Sequence, residues 1–240
     1  MILDVKELQA METPKIVDVY LEIGKNRTFA GAIDWPGWCR SGKDEQSALQ
    51  ALLDYGPRYA QALRLGRLEF TPPADVSALH VIERLPGSST TDFGAPDAVP
   101  ARDRQPVDES ELRRFQALLQ ACWQALDAAA ERAVGKELRK GPRGGGREAD
   151  EIVRHVWMAE RGYLSRLGVK PEADENADLA QVQESSRQAI LEGVARSAWG
   201  ELPTRGPRGG VIWGARYFVR RAAWHILDHT WEIEDKIIPV

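Results

Sequence analysis

The sixteen residues from Arg220 to Asp235 contain neither glycine nor proline and carry two histidines four positions apart, His225 and His229. At about 100° per residue, four positions bring a helix to within about 40° of where it started. The two imidazoles therefore share a face, one turn apart, and can grip one metal ion. The chain has only four histidines. A third, His155, sits in an earlier stretch of helical pattern, and the expectation is that His155, His225 and His229 converge on one metal. His80 lies in the N-terminal part and is left out.

The faces on which these residues fall support that expectation. In the last helical segment, 212–237, Ala215, Val219, Ala222, Ile226, Ile233 and Ile237 form an apolar stripe at helical spacing, with Phe218, His225 and His229 at its edge. In the segment 148–167, Ile152, Val156, Ala159 and Tyr163 form the matching stripe and His155 abuts it. Three imidazoles with an open position suit Zn²⁺, Ni²⁺ or Fe²⁺, and the open position can hold a water or a thiolate. Glu232 follows His229 by three residues. It is readable as a fourth ligand, as an acceptor for an imidazole N–H, or as a solvated acid, the last two being favoured over direct ligation. Arg221, one turn before His225, is a candidate to hold an anionic substrate near the metal, or equally to form a surface ion pair.

The rest of the chain predicts an α+β protein in two domains. Residues 15–23 alternate apolar and polar and read as a strand, Gly24-Lys25-Asn26 as a turn and 27–35 as a second strand, together an antiparallel hairpin. Asp34 to Cys39 form a ring-rich turn, and Asp44 caps a helix from 45 to 65 that breaks at Gly56-Pro57. Short strands are expected at 67–70 and 78–84. Residues 1–86 thus form a small unit, and 87–107, rich in Pro, Gly, Ser, Asp and Arg without apolar period, a linker. From 108 to 240 the pattern changes to four helices, 108–134, 148–167, 176–199 and 212–237, and the default architecture is an up-down four-helix bundle.

Bulk composition narrows the partners. A net charge of −4 and a pI near 5.7 argue against nucleic acid and anionic membranes. No run of eighteen apolar residues occurs and no basic-then-apolar leader opens the sequence, so a cytoplasmic protein that does not span a membrane is expected. Cys39 and Cys122 belong to no CxxC pair and read as reduced, buried thiols. Gly141-Pro142-Arg143-Gly144-Gly145 and Gly206-Pro207-Arg208-Gly209-Gly210 echo one another but lack the Gly-Lys-Ser/Thr of a phosphate-binding loop. Each precedes a histidine-bearing helix, so Arg143 and Arg208 are candidates to bind an anion at the mouth of the site.

The segments Glu151-Ile152-Val153-Arg154-His155-Val156-Trp157-Met158-Ala159-Glu160-Arg161-Gly162-Tyr163-Leu164 and Arg221 to Asp235 resemble the second and last helices of DinB-like metal-binding four-helix bundles. The resemblance covers residues 108–240. It implies a His₃ metal site on His155, His225 and His229, and activities such as those of thiol-cofactor-dependent transferases and isomerases, with a low-molecular-weight thiol as a further cofactor. Phe29 to Gly42, followed by Glu45-Gln46-Ser47-Ala48-Leu49, is similar to the HicB-like fold, in which a hairpin ends in an Asp-x-Pro-Gly turn before a helix. No DNA-binding tail accompanies it, so only the fold carries over. Two functions are expected from different classes. One is a metal-dependent enzyme of transferase, isomerase or hydrolase type acting on a small molecule. The other is a non-enzymatic, stress-linked protein-interaction module with a structural metal. Homodimers are common among such bundles, and the sequence leaves the oligomeric state open.

Overall fold

The computed structural model describes residues 16–141, 146–169, 179–206 and 209–238. Seven α-helices and one four-stranded sheet occur among them, making the protein α+β. The described residues fall into two compact units, 16–60 with 70–98, and 61–69 with 99–238. No helix among them is long and apolar enough to cross a membrane.

The first unit is built on strands β1 (Val17–Ile23), β2 (Thr28–Ala32), β3 (Cys39–Gly42) and β4 (Leu79–Pro86), in the order β3-β2-β1-β4. β1 and β2 form the antiparallel hairpin that their alternation predicts, closed at Ile23 and Thr28, while β4 adds parallel to β1. Two local expectations differ from what is found. Residues 67–70 form no strand, and Cys39–Gly42, too short and polar to announce itself, pairs with β2 as a third strand. Asp44 caps α1 (Glu45–Asp54) in a reciprocal capping box with Ser47, and α1 packs on β2 and β3. The break at Gly56-Pro57 separates α1 from α2 (Gly56–Leu65), because Pro57 can open a helix but not continue one.

The ring-rich turn is packing. Trp38 is fully buried, its indole N–H donates to the Leu52 carbonyl at 2.8 Å, and its ring stacks on Tyr59 at 5.9 Å. The Tyr59 hydroxyl in turn donates to the Pro36 carbonyl at 2.8 Å. Each ring thus satisfies its polar atom while filling the core.

The segment 87–107 is more ordered than its composition predicts. It holds α3 (Ser89–Phe93) and a 3₁₀ turn at Ala101–Arg104. Glu22, which strand alternation marks as an ordinary polar position, is completely buried, and its carboxylate accepts from the backbone N–H of Asp97 and Ala98 at 2.9 Å and from the Thr91 hydroxyl. A buried carboxylate needs such donors, and here they come from loop backbone that would otherwise be unpaired.

The second unit contains α4 (Glu109–Ala133), α5 (Ala149–Leu164), α6 (Leu179–Ala198) and α7 (Ala215–Lys236), and each of the four packs against the other three. The expected turn at 171–174 and the expected helix start at 176 lie outside the described residues. From Ala215 to Leu227, α7 is buried on nearly every side, only Arg221 being partly exposed. A helix buried all round is ordinarily apolar. This one carries Arg216, Arg220, His225 and Thr230 in the interior. Arg220 forms a two-pronged pair with Asp103 of the 3₁₀ turn, at 2.6 and 2.8 Å, and Arg216 reaches the Gln105 and Pro106 carbonyls and Glu111. The two arginines therefore pin residues 101–106 onto α7.

Because both members of the Asp103–Arg220 pair are almost wholly buried, Asp103→Ala strands a guanidinium in the interior. It is expected to lower unfolding free energy by about 3–5 kcal/mol in chemical denaturation. A loss within ordinary surface-substitution range would contradict this role.

Candidate metal centre

α7 presents His225 and His229 one turn apart and α5 presents His155 opposite them. The ring centroids form a triangle, 4.7 Å between His225 and His229, 4.8 Å between His155 and His229 and 5.3 Å between His155 and His225. One ring nitrogen from each comes within 4.8 Å of the others. Tetrahedral ligation at ordinary Zn–N lengths sets nitrogens about 3.3 Å apart, so small side-chain rotations would close the set. Of the residues named from sequence, the three histidines come together as expected, and Glu232 is not among the converging donors.

Burial grades across the triangle. His225 is interior, with 8% of its surface exposed, whereas His155 and His229 are half-buried. Burial pushes the His225 imidazolium down to about 2, reinforced by His229, His155, Arg221 and Arg147. Burial lowers His155 in the same direction, followed by His229 and Arg147, with Glu232 opposing. Both rings are therefore neutral at pH 7, the form that offers a lone pair to a metal. The His225 Nδ1 is inaccessible to solvent and has no hydrogen-bond partner among the described residues. Buried polar atoms are almost always satisfied, and an ion or a water bound beside His225 would satisfy this one. The donor set, three nitrogens and no thiolate, suits Zn²⁺, Ni²⁺ or Fe²⁺ without choosing among them.

Glu232 acts through His229. Its Oε2 lies 2.6 Å from His229 Nδ1 and its Oε1 lies 2.5 Å from Lys236 Nζ. The His229 hydrogen bond, opposed by burial and aided by Lys236, holds the carboxyl down at about 2, so it is ionised and accepts the Nδ1 proton. That fixes the tautomer in which Nε2 is left for a metal. Arg221 stands beside the triangle, its guanidinium 4.9 Å over the Trp224 ring, whose centroid is 6.1 Å from that of His225. Arg143 and Arg208 lie outside the described residues.

Two groups near the triangle escape sequence reasoning. Tyr163 reads only as a stripe residue, yet its ring lies 6.0 Å from His225 and packs on Trp213 and Phe218. Glu160, given no role in the sequence reading, is buried and accepts from the Trp123 indole N–H. Burial raises its carboxyl to about 7 against the effects of Trp123 and Arg187. Position on the wheel places Tyr163 on the interior side of α5, which was the available signal. Glu160, four residues after Val156 and eight after Ile152, falls on the same side, a signal masked by its charge. Cys122 and Cys39 are buried, and burial drives the Cys122 thiol upward, so Cys122 is not a reactive thiolate. A cavity of about 560 Å³ lies between α4, α5 and α6, lined by residues including Val134, Val153, Arg154 and Trp157, and the histidines do not line it.

No protein-family model, no curated protein and no solved structure matches this chain.

If Glu232 sets the His229 tautomer, Glu232→Ala should weaken Zn²⁺ binding about 10–100-fold in competition with a chromophoric chelator. Unchanged affinity would remove Glu232 from the site.

Proposed function

We propose that the second unit is a DinB-like up-down four-helix bundle that binds a divalent metal through His155, His225 and His229 and serves as a metal-dependent enzyme on a small molecule. The observation that carries the metal reading is the convergence of the three imidazoles, with ring centroids 4.7 to 5.3 Å apart and one ring nitrogen of each within 4.8 Å of the others. The reading of the first unit as HicB-like rests on the hairpin, the Asp34-Trp35-Pro36-Gly37 turn and the capped helix that follows it.

A bound divalent ion would supply Lewis-acid activation of a water or of a low-molecular-weight thiol at its open position, lowering the pKa of that ligand. The protein's own contributions are separable. His225, sealed in the interior, fixes the depth of the site. Glu232 holds the Nδ1 proton of His229 and orients its ring, with Lys236 anchoring Glu232 from the next turn. Tyr163, Trp213 and Phe218 pack ring against ring beside His225 and exclude water from that side. Transfer, isomerisation and hydrolysis are all compatible with this arrangement, and the thiol is proposed from the resemblance alone.

A purely structural metal in an interaction module calls for a closed fourth position. Glu232, the acid bonded to His229, is committed to that ring and to Lys236, which favours the enzyme. Calorimetric titration of tag-free protein with Zn²⁺, Ni²⁺ or Fe²⁺ is expected to give one ion per chain and a raised melting temperature, both lost in His225→Ala. A chain that binds none of them, or a variant that binds as wild type, would overturn the proposal.

A further inference from the structure

α5 carries a buried ionisable group that the metal centre does not use. Glu160 is 2% exposed, and its carboxylate accepts one hydrogen bond, from the Trp123 indole N–H of α4. No other described residue bonds to it. The other buried acids are better served. Glu22 receives the Thr91 hydroxyl and the backbone N–H of Asp97 and Ala98, and Asp103 receives two nitrogens of Arg220. A carboxylate charge in the interior needs several donors, and Glu160 has one. Burial accordingly pushes its carboxyl up to about 7, with Trp123 and Arg187 opposing and Asp127 reinforcing.

A donor without a partner flanks the same indole. The guanidinium carbon of Arg187, on α6, lies over the Trp123 ring at 5.5 Å from its centroid, while Glu160 sits at the ring's N–H edge. Two Arg187 nitrogens pair with Asp127 of α4 at 2.7 Å. The third, Nε, is sealed from solvent and has no hydrogen-bond partner among the described residues. Buried donors are almost always satisfied, and a guanidinium can bond a second carboxylate through Nε while its terminal nitrogens keep the first. Burial disfavours the Arg187 charge, but the Asp127 hydrogen bond outweighs it, with Glu160 and Glu184 adding, so the guanidinium stays charged. The remaining ionisable neighbours are Cys122 of α4, which burial and then Glu160 drive upward, and Tyr163 of α5, which burial raises, Arg221 lowers and Glu160 raises. No described residue of α7 bonds to Glu160.

We propose that Glu160 and Arg187 form a proton-operated latch inside the second unit, in which the neutral carboxyl rests on Trp123 alone and the ionised carboxylate also accepts the Arg187 Nε–H, tying α5 to α6. On ionisation the carboxyl proton passes to water, and no existing bond has to break, because Asp127 keeps the two terminal nitrogens. Arg187 then bridges Asp127 on α4 and Glu160 on α5. The latch acts on the helix that carries His155, and it stands independently of the metal reading. Its linkage to folding has a definite sign. The Glu160 carboxyl titrates above its ordinary value of 4.5 in the folded chain, so its contribution to stability is fully present below that value and is lost as pH rises to about 7.

Nitrogen–proton NMR spectra of the full-length chain test the latch, because the Trp123 indole and the Arg187 Nε–H give separate signals, assigned by their loss in Trp123→Phe and Arg187→Lys. Over about pH 5 to 8 both signals are expected to move together, with one midpoint between about 6 and 7, and to stay fixed in Glu160→Gln, which keeps an acceptor for Trp123. In Arg187→Gln the Trp123 midpoint should rise by about half a unit or more, since the charge that favours ionised Glu160 is gone. In chemical denaturation, wild type should lose stability relative to Glu160→Gln as pH rises from 4.5 to about 7, then level off. Signals that stay fixed in wild type, or that move equally in Glu160→Gln, overturn the latch. So does a Trp123 signal that titrates while Arg187 stays fixed. Should Glu160→Gln fail to fold, the Arg187→Gln spectra decide, and an unchanged Trp123 midpoint there overturns the latch as well.

Discussion

The burial of α7 is the constraint on which the second unit depends. Four interior polar side chains on one helix each require a partner, since an unsatisfied one costs about 1–3 kcal/mol and a charged one more. Three have theirs. Arg216 is held by carbonyls and Glu111, Arg220 by Asp103, and the Thr230 hydroxyl donates to the Ile226 carbonyl one turn back at 2.8 Å. His225 is the fourth, and its Nδ1 has none. The same packing that stabilises the helix core therefore isolates one imidazole nitrogen, and α5 brings the His155 ring centroid to 5.3 Å from that of His225.

This arrangement divides the labour along α7. Its first half is an anchor, where two arginines tie down the 3₁₀ turn and the entry to α4. Its second half carries the candidate site, where His225, His229, Glu232 and Lys236 follow one another along the helix and local bonds through Glu232 fix the His229 ring. Side chains three and four residues apart are neighbours once the helix forms. The candidate ligands on α7 are thus set one turn apart by local structure, whereas the approach of His155 depends on tertiary packing.

That difference explains what was legible in the sequence. His225 and His229 announce themselves through spacing, and His155 through its place beside an apolar stripe, because helical periodicity is a local code. The hairpin and the capped helix α1 are local in the same way. Glu22, Glu160 and Asp103 were not legible, since each is a charged residue whose burial depends on a partner 69, 37 or 117 positions away. β3 was hidden for a related reason: a four-residue polar strand exists only because β2 offers its edge. The apparent linker looked structureless because its order is borrowed from Glu22 and α7 rather than encoded in its own pattern.

X-ray absorption spectroscopy of the Zn²⁺-loaded full chain tests the account most directly. Three imidazole nitrogens at about 2.0–2.1 Å with one further light-atom ligand are predicted. A sulfur ligand at about 2.3 Å, or fewer than three imidazoles, would contradict it.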